Sequence, residues 1–86
     1  MEQKPSIGRI VLVVIRDRHN GLVPRPAIIV RTWGDPSNPG KYINCRLFLD
    51  GTNDMEFGIE LISWLTSVPY DPEGKAANTW HWPPRA

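Results

Sequence analysis

The sequence predicts an all-β domain, a small barrel of four to five short strands, on three observations. Nine prolines and seven glycines punctuate short apolar runs, the pattern of a small barrel or sandwich. The runs are rich in β-branched residues and follow the two-residue period of a strand. Eighty-six residues have room for one core, so residues 1–86 are expected to form a single domain.

Residues 1–7 read as a loose lead-in. Gly8–Arg16 is the first strand, apolar on both alternating sets, Ile10, Leu12, Val14 and Val11, Val13, Ile15. Such a strand must be covered on both sides. One set enters the core; the other, taken as Val11, Val13 and Ile15, needs the C-terminal tail or a second subunit. Asp17–Arg25 reads as a loop, with Asn20-Gly21 as its turn signal and Pro24 and Pro26 stiffening its exit. Ala27–Trp33 is the second strand, and Gly34–Lys41 a polar loop. Tyr42–Asp50 alternates most cleanly: Ile43, Cys45, Leu47 and Leu49 on one side, Tyr42, Asn44, Arg46 and Phe48 on the other. Asp50–Asp54 is a turn and Met55–Leu61 is ambiguous between strand and a helical turn. Leu61–Val68 is the next strand, with Ile62, Trp64, Thr66 and Val68 on one side, ended by Pro69. Residues 71–86 form a tail in which Thr79–Trp82 adds a short last strand. This set of short strands and turns points to an SH3-like barrel, a fold that does not fix function.

A formal net charge of +1 argues against general nucleic-acid binding, whose footprint is a strongly basic face. The charge is unevenly spread, with six basic and two acidic groups in residues 1–31 and four basic and seven acidic beyond. Arginine outnumbers lysine seven to three, which suits recognition of phosphate or carboxylate by a planar fork. A single cysteine, Cys45, forms no internal disulfide, and His19 and His81 stand far apart without a thiolate cluster, so no structural metal and no cofactor are expected. The remaining staple for so short a chain is a homo-oligomer. The longest apolar run, Ile10–Ile15, is far below a membrane span. With a lone thiol and no export signal, the expected site is a reducing cytoplasm.

The residues hold no complete catalytic set. Trp80 and Trp82 lie two apart on an extended segment around His81, an arrangement able to stack a base or hold a cation. The plainer reading has both tryptophans closing the barrel or covering the first strand. Arg25, Arg31 and Trp33 form a second cluster, with Arg31 and Trp33 expected on the strand face of Ala27 and Ile29. A guanidinium beside an indole reads phosphate and base, or is surface packing. Tyr42, Arg46 and Phe48 share a face, and an exposed aromatic pair there would mark an interface. Asp50, Asn53 and Asp54 lack the remaining ligands of a calcium loop and read as an Asx turn. Cys45 reads as a buried inert thiol.

Gly8-Arg9-Ile10-Val11, Arg25–Gly34, Phe48–Asp54, Thr66–Tyr70 and Thr79–Pro83 together resemble a family of small tailed-bacteriophage and prophage proteins. The resemblance implies an accessory protein in the cytoplasm of a bacterial host. In that setting the expected function is non-catalytic binding and sequestration of a phosphorylated small molecule, such as a cyclic nucleotide of host defence. Arg25, Arg31, Trp33, Trp80, His81 and Trp82 would hold it. The alternative is a module that occludes a host or virion protein. Gly8–Val13 followed by Arg25–Val30 is also similar to the opening of the MazF/PemK-type toxin ribonucleases. That resemblance implies RNA cleavage by Arg25 with Thr66 or Ser67 as its hydroxyl partner.

Overall fold

The computed structural model describes residues 4–17, 21–35, 38–49 and 62–84. Five strands run in chain order: β1 (Ile10–Asp17), β2 (Gly21–Asp35), β3 (Asn38–Phe48), β4 (Ile62–Pro69) and β5 (Trp80–His81). They form one antiparallel sheet in the order β4-β3-β2-β1-β5. The two ends of the sheet meet where Tyr70, just beyond β4, bridges to Trp80. There the Asp71 amide donates to the Trp80 carbonyl at 2.9 Å. The result is a small barrel-like fold, all-β among the described residues. The segments expected at Asp50–Asp54 and at Met55–Leu61 lie outside them, as do the calcium-loop residues.

The core gathers Val11, Val13 and Ile15 of β1, Ala27 and Ile29 of β2, Ile43, Cys45 and Leu47 of β3, Val68 and Trp80. The registers explain the set. Val11 pairs with Ala27 and Ala27 with Leu47, while Val13 pairs with Trp80 on its other side, and directly paired residues face the same way. Each large aliphatic side chain buried there contributes about 1.5–3 kcal/mol.

This reverses the expected division of β1. Val11, Val13 and Ile15 are core, and Ile10 is left open. The three valine and isoleucine side chains cannot also form a subunit interface. Val14 is buried as well, beside the tail segment that hydrogen-bonds to it through Asn78 and Thr79.

Two expected loops are strand instead. Residues 21–25 belong to β2, with Pro24 opposite Val14 and Pro26 opposite Leu12. The prolines fit because the Val14 amide and carbonyl point to the tail, making Val14–Pro24 and, two residues on, Leu12–Pro26 pairs that exchange no ladder hydrogen bond. The missing N–H of each proline therefore faces away from β1, and β3 joins β2 only from Ala27 onward. The polar stretch after Gly34 likewise continues the β2–β3 hairpin, with Gly34 opposite Pro39 and Asp35 opposite Asn38.

Candidate functional site

The candidate site is the outer face of β2, β3 and β4, and two bulges create it. In β2, Ile29 pairs with Cys45 but Arg31 pairs with Asn44, leaving Val30 as an extra residue. In β4, Val68 pairs with Ile43 and Leu65 with Cys45, so Thr66 and Ser67 together oppose Asn44. Both flanking strands thus carry a bulge against the same β3 residue. A bulge shifts the alternation of its strand by one. Arg31 and Trp33, expected on the Ala27 and Ile29 face, are turned outward, and Thr32 takes the side of buried Ile43. Trp64 and Thr66, expected with Val68, are likewise exposed while Val68 is buried.

Asn44 ties the two bulges together. Its Oδ1 accepts the Trp33 indole N–H at 2.9 Å and the Ser67 amide at 2.8 Å. Ser67 has φ +52°, a left-handed conformation that is unfavourable for serine by about 1–2 kcal/mol, so the accepted amide bond helps hold it.

Around Asn44 the face alternates arginine and aromatic side chains. The Arg31 guanidinium lies 3.8 Å from the Trp33 ring centre, and that of Arg46 lies 5.2 Å from Trp64. Arg46 stands directly opposite Trp64 on one side and Ile28 on the other, and Ile28 opposite Ile10. Trp64 is 69% exposed, Tyr42 48%, Trp33 39% and Phe48 38%. The expected interface residues Tyr42, Arg46 and Phe48 are therefore on the same surface as Arg31 and Trp33.

The C-terminal tryptophans are elsewhere. Trp80 is only 1% exposed, tilted against Tyr70 at 4.6 Å and edge-on to Trp82 at 5.4 Å. No ligand base reaches a ring so placed, and the plainer reading of it as a barrel-closing side chain is the observed one. Trp82 packs on the core rim beneath Arg9, 5.1 Å from its guanidinium. His81 is covered by the 71–78 loop: a Cβ at Gly74 would stand 2.8 Å from its ring, and its Nδ1 is buried without a hydrogen-bond partner among the described residues. Asp71 organises that loop by accepting the amides of Glu73, Lys75 and Ala76 at 3.1, 3.0 and 3.0 Å. The amides of Ala76 and Lys75 chiefly hold its carboxyl below the ordinary aspartate range, and the nearby His81 adds to this.

Arg25 pairs with Val13 and so starts from the core side of β2, whereas Arg31 and Trp33 lie beyond the bulge on the outer side. Six residues expected to meet around one ligand are distributed over the outer face, the core and the barrel end. Arg25 is also separated from Thr66 and Ser67, which oppose Asn44 on the far side of β3. The Cys45 thiol is buried, and burial raises its pKa to about 11. Among the described residues no cluster of His, Cys, Asp and Glu could hold a metal ion, and no helix is long and apolar enough to cross a membrane.

Asn44 and Trp64 were not expected in the site, and Ser67 was expected only as a hydroxyl partner of Arg25. Asn44 carried a signal, because asparagine is depleted in strand interiors and here interrupts an aromatic and arginine face. Trp64 carried none without knowledge of the bulge. Compared with protein-family models, curated proteins and solved structures, the chain gives no match.

Proposed function

We propose that this is a binding module that docks a partner protein on the outer face of β2, β3 and β4. The observation that carries the reading is the pair of arginine-on-tryptophan stacks, Arg31 on Trp33 and Arg46 on Trp64, on neighbouring strands of one exposed surface. Tryptophan, tyrosine and arginine are the side chains that dominate interface energetics. Stacking adds about 0.5–1 kcal/mol per pair at an exposed site and restricts the guanidinium before any partner arrives, which lowers the ordering cost of binding.

The same observation disfavours a nucleotide held by stacking on these rings, since a guanidinium already covers one face of each indole. Occlusion of a protein is thus better supported than sequestration of a phosphorylated small molecule.

The test is quantitative capture from a lysate of the cells that make the protein, with wild type, Arg31→Ala, Trp64→Ala and, as a control away from the face, Lys75→Ala. Proteins retained by wild type and Lys75→Ala but lost by both face variants support the reading. Identical capture by all four contradicts it. Calorimetric binding of a mono-, di- or cyclic nucleotide by folded wild type, with no protein retained, would restore the small-ligand reading.

A further inference from the structure

We infer that the occupant of this face is an extended acidic segment of the partner, with carboxylates gripped by Arg31 and Arg46. The inference rests on the docking reading above.

Charge is the first ground. The described outward residues of β2, β3 and β4 around Asn44 include two guanidinium groups, Arg31 and Arg46, and no carboxylate. Neither arginine has a carboxylate partner among the described residues. A guanidinium lying over an indole keeps N–H donors for a planar anion, and a carboxylate accepts two of them at once. A second copy of this chain is a poor occupant, because a two-fold interface sets the same patch against itself and so brings no carboxylate to either arginine.

Spacing is the second. Arg31 stands opposite Asn44, and Arg46 is two residues along β3 from Asn44. Diagonal neighbours of this kind are about 7–8 Å apart. Side chains on alternate residues of an extended chain project to one side about 6.6–6.8 Å apart. The backbone positions of Arg31 and Arg46 are thus spaced as alternate residues of an extended segment are, while their guanidiniums lie apart, over Trp33 of β2 and Trp64 of β4. Tyr42, Phe48 and Trp64 flank them with apolar surface for neighbouring side chains.

The test uses the whole, isotope-labelled protein and two synthetic peptides, acetyl-Val-Glu-Val-Glu-Val-amide and its glutamine counterpart. Amide and indole N–H shifts are followed by NMR. The expected result is that the glutamate peptide moves the Trp33 and Trp64 indole signals and the amides of Arg31, Asn44 and Arg46. The glutamine peptide should bind at least about tenfold more weakly, as should the glutamate peptide to Arg31→Gln or Arg46→Gln. Asn44→Asp provides a variant that keeps an acceptor for Trp33 and Ser67. Its spectrum should remain dispersed while glutamate-peptide binding is lost. Equal binding of both peptides at these signals overturns the acidic inference and leaves the docking reading standing. Absence of shifts at this face with folded protein, or shifts there from a nucleotide and not from the peptide, also overturns it. The docking reading is then decided separately by the capture experiment.

Discussion

The Trp33 indole N–H donates to Asn44 Oδ1 at 2.9 Å across the β2–β3 ladder. That bond fixes the ring on which Arg31 stacks, and the same oxygen accepts the Ser67 amide of β4. One carboxamide thus couples the aromatic face to the backbone irregularity that exposes the other half of it.

Asn44→Ala removes both acceptor bonds. At this half-exposed position water replaces them in part, so the expected loss is about 1–2 kcal/mol from two bonds of about 0.5–1.5 each. Chemical denaturation gives the stability, and the Trp33 indole N–H resonance should move more than that of Trp80.

Ser67→Gly should stabilise the fold. Glycine relieves the left-handed penalty of about 1–2 kcal/mol but loses about 0.5–1 kcal/mol more backbone entropy on folding. The expected net gain is about 0.5–1 kcal/mol, read from the denaturation midpoint.

Gly74→Ala should destabilise by about 2 kcal/mol or more. Its φ is +65°, and the added methyl would meet the His81 ring at 2.8 Å, combining left-handed strain with overpacking. Gly8→Ala shares the positive φ, +92°, but has open space around the new methyl. Of the two, Gly74→Ala should show the larger fall in thermal midpoint.

Acid should loosen the 71–78 loop through Asp71. Its carboxyl pKa lies lower in the folded state than in the unfolded one. The unfolded chain therefore binds this proton first, and the contribution is fully present above the unfolded value of about 3.9. It is lost as the pH falls through the lower folded value. Thermal midpoints of wild type and Asp71→Asn should differ at neutral pH and converge in strong acid.

Cys45 should resist alkylation at neutral pH in the folded protein, since its thiol is buried and titrates near 11 and the thiolate is the nucleophile. Iodoacetamide labelling followed by mass should be slow until denaturant is added, then fast.

The barrel was legible where period-two alternation ran unbroken. β3 shows this best, since Ile43, Cys45 and Leu47 are buried and Tyr42, Arg46 and Phe48 exposed, as its sequence pattern requires. The pattern failed in β2 and β4 for one physical reason. A bulge adds a residue without a compositional mark, so Arg31, Trp33, Trp64 and Thr66 each came out on the opposite side from the one alternation assigns. In β1 alternation could not choose, because both sets are apolar and only pairing with Ala27 and Trp80 selects Val11 and Val13 as core. Pro24 and Pro26 read as loop because a proline signals its missing N–H, not the side on which that N–H is missing.

Two bulges opposite Asn44 turn Trp33 and Trp64 to the surface while Trp80 stays in the core. Labelling the protein with 5-fluorotryptophan and measuring the fluorine solvent-isotope shift of each assigned tryptophan reads this arrangement residue by residue. Trp64 should show the largest shift, Trp33 a substantial one, Trp82 a smaller one and Trp80 none. A shift at Trp80 as large as that at Trp64, or protection of Trp33 and Trp64 equal to that of Trp80, would contradict it.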